Sequence, residues 1–187
     1  LVVNRLKYVE RAEIIREKGT DRSRFIRGEV DRYGWVDKGS SYLPSELLAA
    51  FLLAQLEEAD AIHGWRKAAW QRYDEGLAHA LAAGALETLT IPEECSSSYH
   101  LYGVLLPNEV ARNKVQARMK EQGVYTTFHY QPLHLSKMGS KWGDGAGSLP
   151  VTESAAERLL RLPMYNEITA TEQERVVDVL LHALKGL

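Results

Sequence analysis

The segment from Gly19 to Gln55 of this 187-residue chain is where residue types and spacing best suit an anion. Arg16, Lys18, Arg22, Arg24 and Arg27 set five cations against two acids, Glu17 and Asp21, in an irregular, turn-rich run. Two hydroxyls, Ser40 and Ser41, then stand just ahead of a helix start expected at Pro44. The first turn of a helix has unpaired N–H groups and a partial positive charge, which suits a phosphate. Guanidinium forks match phosphate oxygens, so Arg22, Arg24 and Arg27 suit a second anion nearby. Two plainer roles compete: the serines as helix caps, and the arginines as a solvated loop. Farther on, His129 and His134 flank Tyr130 and Pro132 at the end of a predicted strand. That spacing fits a core histidine beside a surface one, or half a metal site. No cysteine or compact Asp/His cluster completes a zinc set, so no metal is expected.

These residues need elements to position them. Leu1-Val2-Val3 reads as the remnant of a strand, and Leu6 to Lys18 as an amphipathic helix ended by Gly19. Thr20 to Ser41 has no lasting period and reads as a long loop, a length that is usually functional or disordered. From Ser45 to about Leu81 apolar residues keep helical spacing, which predicts one helix roughly 55 Å long with a bend at Gly64. Its first turns, Leu47 to Leu53, are apolar nearly all round, as for a helix buried on several sides. Beyond Ser96 the pattern is α+β. Strands are expected over Tyr99–Leu105 and Val124–Tyr130, and helices over Glu109–Gln122, Thr152–Arg161 and Thr171–Leu184, with Thr171 an N-cap. A Gly- and Ser-rich loop joins Pro132 to Pro150.

Composition narrows the classes. Hydrophobic residues at 45% and charged ones at 26% are ordinary for a soluble globular protein. A net charge of −2 argues against a nucleic-acid or acidic-membrane surface, so the local basic cluster suits a small anion better than a polyanion. The single cysteine, Cys95, cannot form an internal disulfide, which fits a reducing cytoplasm. No apolar run approaches the roughly 20 residues that span a bilayer, so no membrane partner is expected.

Four stretches, in order, resemble one known family. They are Arg16-Glu-Lys-Gly-Thr-Asp-Arg-Ser-Arg-Phe25 with its continuation to Asp37, Gly39-Ser-Ser-Tyr-Leu-Pro-Ser-Glu-Leu47, Phe128-His-Tyr-Gln-Pro-Leu-His134, and Arg158-Leu-Leu-Arg-Leu-Pro-Met-Tyr165. Together they are similar to the sugar-nucleotide aminotransferases of the DegT/DnrJ/EryC1/StrS type, from about Val9 to the C-terminus. That resemblance implies an α/β fold of the aspartate aminotransferase (type I) class and pyridoxal phosphate (PLP) as cofactor. It also implies a cytoplasmic homodimer that moves an amino group from glutamate onto a TDP-4-keto-6-deoxy sugar. The nearest subgroup works at carbon 4, toward TDP-fucosamine and enterobacterial common antigen. A 3-keto sugar enzyme and a non-catalytic regulatory or assembly relative are the alternatives.

Carried over residue by residue, the resemblance puts Ser41, with Ser40 beside it, where the family has an asparagine reaching the PLP phosphate of the neighbouring subunit. The family's arginine and methionine there are Leu43 and Pro44 here, which removes one cation. The resemblance sets His129, Tyr130 and His134 over the sugar as hydrogen-bonding groups, with His134 favoured because Pro132 and Leu133 fix its backbone. It assigns the pyrophosphate to at least one of Arg22, Arg24 and Arg27. The family's Schiff-base lysine is expected upstream of Leu1, so no catalytic residue is assigned and the chain alone is expected to be inactive. The implied organisation is the tail of a large PLP domain over residues 1–44, a linking helix over 45–91 and a small α/β domain over 92–187.

Overall fold

In the computed structural model of the chain, residues 2–187 are described. They fall into two compact units, Leu1–Glu58 and Ala59–Leu187. The strand expected at the start is absent at Val2 and Val3, while Leu1 lies outside the described residues.

In the first unit a single 3₁₀ turn leads into helix α1 (Val9–Arg16). The loop that follows contains a short helix, α2 (Arg22–Ile26), which the charge-rich sequence concealed. Hydrogen bonds and backbone bridges pull this loop together. Glu17 pairs with Ser41 and Thr20 with Trp35, and the Gly19 carbonyl accepts from the amides of Val36 and Asp37. Gly19 sits at φ +78°, and a Cβ there would lie 1.8 Å from the Asp37 carbonyl oxygen. Only glycine permits both the left-handed backbone and that approach.

Helix α3 (Glu46–Glu57) closes this unit, capped by the Ser45 hydroxyl, which accepts from the Leu48 amide. The helix therefore starts two residues later than Pro44, and neither Ser40 nor Ser41 caps it. Leu47, Leu48, Phe51, Leu52, Leu53 and Leu56 are all more than half exposed, so within this chain α3 has no buried face.

The expected 55 Å helix is in fact two. It breaks at Glu58, not at Gly64, and α4 (Ala59–Ala82) begins anew. Charge explains the place: Glu57 and Glu58 oppose the negative C-terminal end of α3, whereas Asp60 suits the positive N-terminal end of α4.

The second unit holds the core. Four short strands, β1 (Glu87–Thr88), β2 (Tyr102–Leu105), β3 (Thr127–Phe128) and β4 (Leu159–Leu162), form an antiparallel sheet in the order β1-β2-β4-β3. Helices α5 (Glu109–Glu121) and α7 (Ala170–Leu184) pack on each other, α4 packs on α7, and α6 (Pro150–Arg158) packs on α5. Tyr73, Leu77, Val104, Leu106, Val115, Met119, Leu160 and Leu180 are fully enclosed.

Three local expectations are corrected. The helix predicted to reach Arg161 stops at Arg158, and the next four residues form the central strand β4. Ala155, Ala156, Leu159 and Leu160 carry the i, i+4 spacing of a helix, but β4 buries Leu159, Leu160 and Leu162, and a four-residue stretch of three leucines and one arginine is too short to be told apart by period. Tyr99 lies at φ +48°, so the strand before Leu105 begins only at Tyr102. The cap of α7 is Thr169 rather than Thr171, in a reciprocal capping box with Glu172.

Candidate functional site

The first unit presents the anion candidates. Ser40 and Ser41 are exposed, and their backbone is held from three sides: Ser40 N–H donates to Ile15 O, Ser40 O accepts from Lys18 N–H, and Ser41 bridges Glu17. The chain thus fixes the position of both residues while leaving their hydroxyls to solvent.

The arginines sit differently from the picture of an unbalanced basic loop. Arg27 donates to Glu29 at 2.7 Å and to both oxygens of Glu13 at 3.0 Å. Arg24 faces Glu29 at 3.4 Å and Glu10 at 3.6 Å, and Arg22 lies 3.4 Å from the buried Glu17. The hydrogen bonds that Arg27 donates to Glu29 and Glu13 push its pKa upward, and the Arg27 bond holds that of Glu29 down. Helix α1 supplies Glu10 and Glu13, acids that precede the basic segment in sequence. A phosphate would have to displace these carboxylates, and the pairs are exposed enough to exchange at small cost.

The second unit presents the turn after β3. His129 and Tyr130 line an open pocket of about 240 Å³ with Arg112, Phe128, Glu153 and Glu157. Tyr130 is 76% exposed, while the buried Nδ1 of His129 has no hydrogen-bond partner. The two rings meet edge to face, with centroids 5.5 Å apart. His134 does not share this pocket. Its imidazole turns inward, and Nε2 lies 2.9 Å from Glu153 Oε1 with only 11% of the side chain exposed.

Arg112 and Glu153 were invisible to the sequence reading. The Arg112 guanidinium is buried, donates from Nε to Glu157 O at 3.0 Å, and lies 5.5 Å from the Phe128 ring centre. Its one legible signal was a cation on the apolar face of α5. Glu153 stands 19 residues from its histidine partner, a distance that carries no local signal. Among the described residues no group of three or more His, Cys, Asp or Glu comes together to hold a metal, and no helix is long and apolar enough to cross a membrane.

The sequence pattern of the DegT/DnrJ/EryC1/StrS aminotransferase family matches residues 1–181. The chain belongs to that family. It is 27% identical over 179 residues to a pleiotropic regulatory protein of Geobacillus stearothermophilus, covering 95% of this chain and 45% of that protein. It is 29% identical over 144 residues to a dTDP-3-amino-3,4,6-trideoxy-alpha-D-glucose transaminase of Micromonospora megalomicea subsp. nigra, covering 76% and 38%. The fold matches that of Spr1654 from Streptococcus pneumoniae in its PMP form, with a TM-score of 0.83 at 20% identity over 98% of this chain and 46% of that one. The chain therefore spans less than half the length of each relative. The mixed helices and small antiparallel sheet are those of the α/β fold of PLP-dependent sugar aminotransferases, and PLP is the cofactor of the family. Ser40 and Ser41, exposed on a fixed backbone, fit the phosphate end of that cofactor.

One pH effect follows from the turn. Hydrogen bonds from His134 and then from the Gly147 and Leu149 amides hold the Glu153 pKa below its ordinary value. The folded pKa is depressed, so the stability it contributes is present above the unfolded value near 4.5 and is lost as pH falls below it. Acidification from pH 5.5 to 3.5 is expected to accelerate amide exchange, corrected for its intrinsic pH dependence, at Gly147 and Leu149 ahead of Val104 in the core. Two-dimensional NMR would record this.

Proposed function

We propose that the intact protein is a PLP-dependent aminotransferase that moves an amino group, with glutamate as donor, onto a TDP-4-keto-6-deoxy sugar in cell-surface polysaccharide synthesis. The observation that carries this reading is the family match over residues 1–181, together with the resemblance of the Arg16–Leu47 and Phe128–Tyr165 stretches. In the intact enzyme PLP supplies the carbonyl that carries the amino group between donor and acceptor. This chain's part is to bind and orient. The Ser41 hydroxyl, with Ser40 beside it, holds the cofactor phosphate through hydrogen bonds to its oxygens. His129 and Tyr130 orient the sugar from the pocket beside β3, and His134 backs the same turn. One of Arg22, Arg24 and Arg27 exchanges its glutamate partner for the pyrophosphate. Residues 1–44 complete a larger cofactor domain, and of the linking stretch expected over 45–91, α3 leads out of that domain while α4 and β1 belong with residues 92–187 in the small domain.

Two relatives favour particular second readings. The transaminase named for a 3-amino sugar supports amination at carbon 3, and the pleiotropic regulatory protein supports a role without turnover. The decisive assay incubates the intact protein with PLP, glutamate and either TDP-4-keto-6-deoxyglucose or its 3-keto isomer, and reads the product by mass and NMR. Amination of the 4-keto sugar with release of 2-oxoglutarate is expected. Amination of the 3-keto sugar alone moves the assignment to carbon 3, and no amination with either supports the regulatory reading.

The exposed apolar residues of α3, Phe51 and Leu53 above all, are proposed to be buried in the homodimer or by the remainder of the enzyme. Sedimentation of the intact protein at micromolar concentration is expected to give a dimer, and a monodisperse monomer contradicts it. Ser41→Ala is expected to weaken PLP retention by about tenfold or more, since a hydrogen bond to a charged group is worth roughly 1.5–3 kcal/mol. Absorbance of the cofactor after dialysis checks this, and unchanged retention removes Ser41 from the phosphate site.

A further inference from the structure

Glu153 is the most heavily used carboxylate of the second unit, and neither the family motifs nor the residue spacing assigns it a role. It stands in the first turn of α6, with 18% of its side chain exposed. Oε1 accepts from His134 Nε2 at 2.9 Å, from the Gly147 amide at 2.8 Å and from the Leu149 amide at 3.2 Å. Oε2 accepts from the Gly147 amide at 3.0 Å. One side chain thus joins three segments: the 3₁₀ turn Leu133–Leu135, the Gly-rich loop before Pro150, and α6 itself. The same carboxylate lines the pocket that holds His129 and Tyr130.

The surroundings make this junction costly to lose. Around it the chain is irregular from Gln131 to Leu149, with only two 3₁₀ turns. A segment with so little repeating structure depends on side-chain hydrogen bonds to stay in one conformation. Gly139 packs its backbone against the Leu133 carbonyl, where a Cβ would lie 1.7 Å from the oxygen, so the turn and the loop already touch at one point. Glu153 supplies the second point, and two separated points fix an orientation where one leaves a hinge. Ionised hydrogen bonds of this kind are roughly twice as strong as neutral ones.

We propose that Glu153 is a positioning residue: it clasps His134 and the Gly147–Leu149 loop so that the preceding His129 and Tyr130 face their ligand in one arrangement. The clasp uses His134 Nε2 and leaves Nδ1 as the nitrogen through which His134 can meet anything else. The part played in ligand recognition rests on the sugar-pocket reading given above, whereas the clasp itself does not.

The test uses Glu153→Gln in the intact protein, which keeps the shape and removes the charge. Three readouts are compared with the parent protein: amide exchange at Gly147 and Leu149, the long-range ¹⁵N–¹H pattern of the His134 ring, and the kinetics of the two half-reactions. Exchange at both amides is expected to be about tenfold faster, with Val104 and Leu160 unchanged. The fixed Nε2–H pattern of His134 is expected to be lost. KM for the keto sugar nucleotide is expected to rise severalfold while the half-reaction with glutamate keeps its rate. Glu153→Asp, which keeps the charge on a shorter arm, is expected to recover part of the amide protection. Unchanged exchange at Gly147 and Leu149 overturns the clasp. Faster exchange with an unaltered KM overturns the positioning role. A parent protein without turnover on any keto sugar would fail the functional reading alone, and the exchange and ring readouts would still decide the clasp.

Discussion

The second unit depends on one buried strand. Leu159 to Leu162 lies between β2 and β3, pairing antiparallel with both, and Leu160 is wholly enclosed in the core to which α4, α5 and α7 also contribute side chains. Its register, Phe128 opposite Leu160 and Thr127 opposite Arg161, is all that ties β3 into the sheet. His129 and Tyr130 follow directly from β3. The residues entering β4 come from α6, which carries Glu153 in its first turn. The pocket walls therefore inherit their positions from a strand of four residues. Burying a leucine is worth about 1.5–3 kcal/mol, and three of these four are leucines held out of water.

The first unit is organised by another force. Among its described residues only Glu17 and Gly19 are buried, and its coherence comes from backbone bridges and ion pairs. Such pairs contribute little each at a surface. Its most apolar element, α3, is left open along every face. The arginines of the loop are balanced by Glu10 and Glu13 of α1 and by Glu29, in pairs exposed to solvent. Ser40 and Ser41 add donors whose positions are set by the main chain.

Much of this was legible in the sequence, where local signals are strong. Gly123 marks the end of α5 because the left-handed backbone there excludes most side chains, whereas α1 stops at Arg16, short of Lys18, and Lys18 ahead of Gly19 is itself left-handed. Helix α5 was predicted to within one residue because its apolar face repeats regularly and Asn108 caps it. The failures are equally specific. Leu159–Leu162 reads as helix because three leucines around Arg161 are too few to show a period of their own. The break at Glu58 depended on charge at two helix ends rather than on glycine. Thr169 outcompeted Thr171 as a cap because Glu172 can reach back to it but not to a residue one position away. Arg112 and Glu153 were missed because their partners, Glu157, His134 and Gly147, are neighbours only after folding.

If β4 holds the turn, weakening β4 must loosen the turn and the core together. Leu160→Ala in the intact protein, unfolded in urea and followed by NMR at Val104 and at His129 and Tyr130, measures this directly. One shared transition at all three residues is expected, with stability lowered by about 2–5 kcal/mol, as for a leucine removed from a closed core. Turn signals that keep the parent midpoint, or that melt separately from Val104, would contradict it.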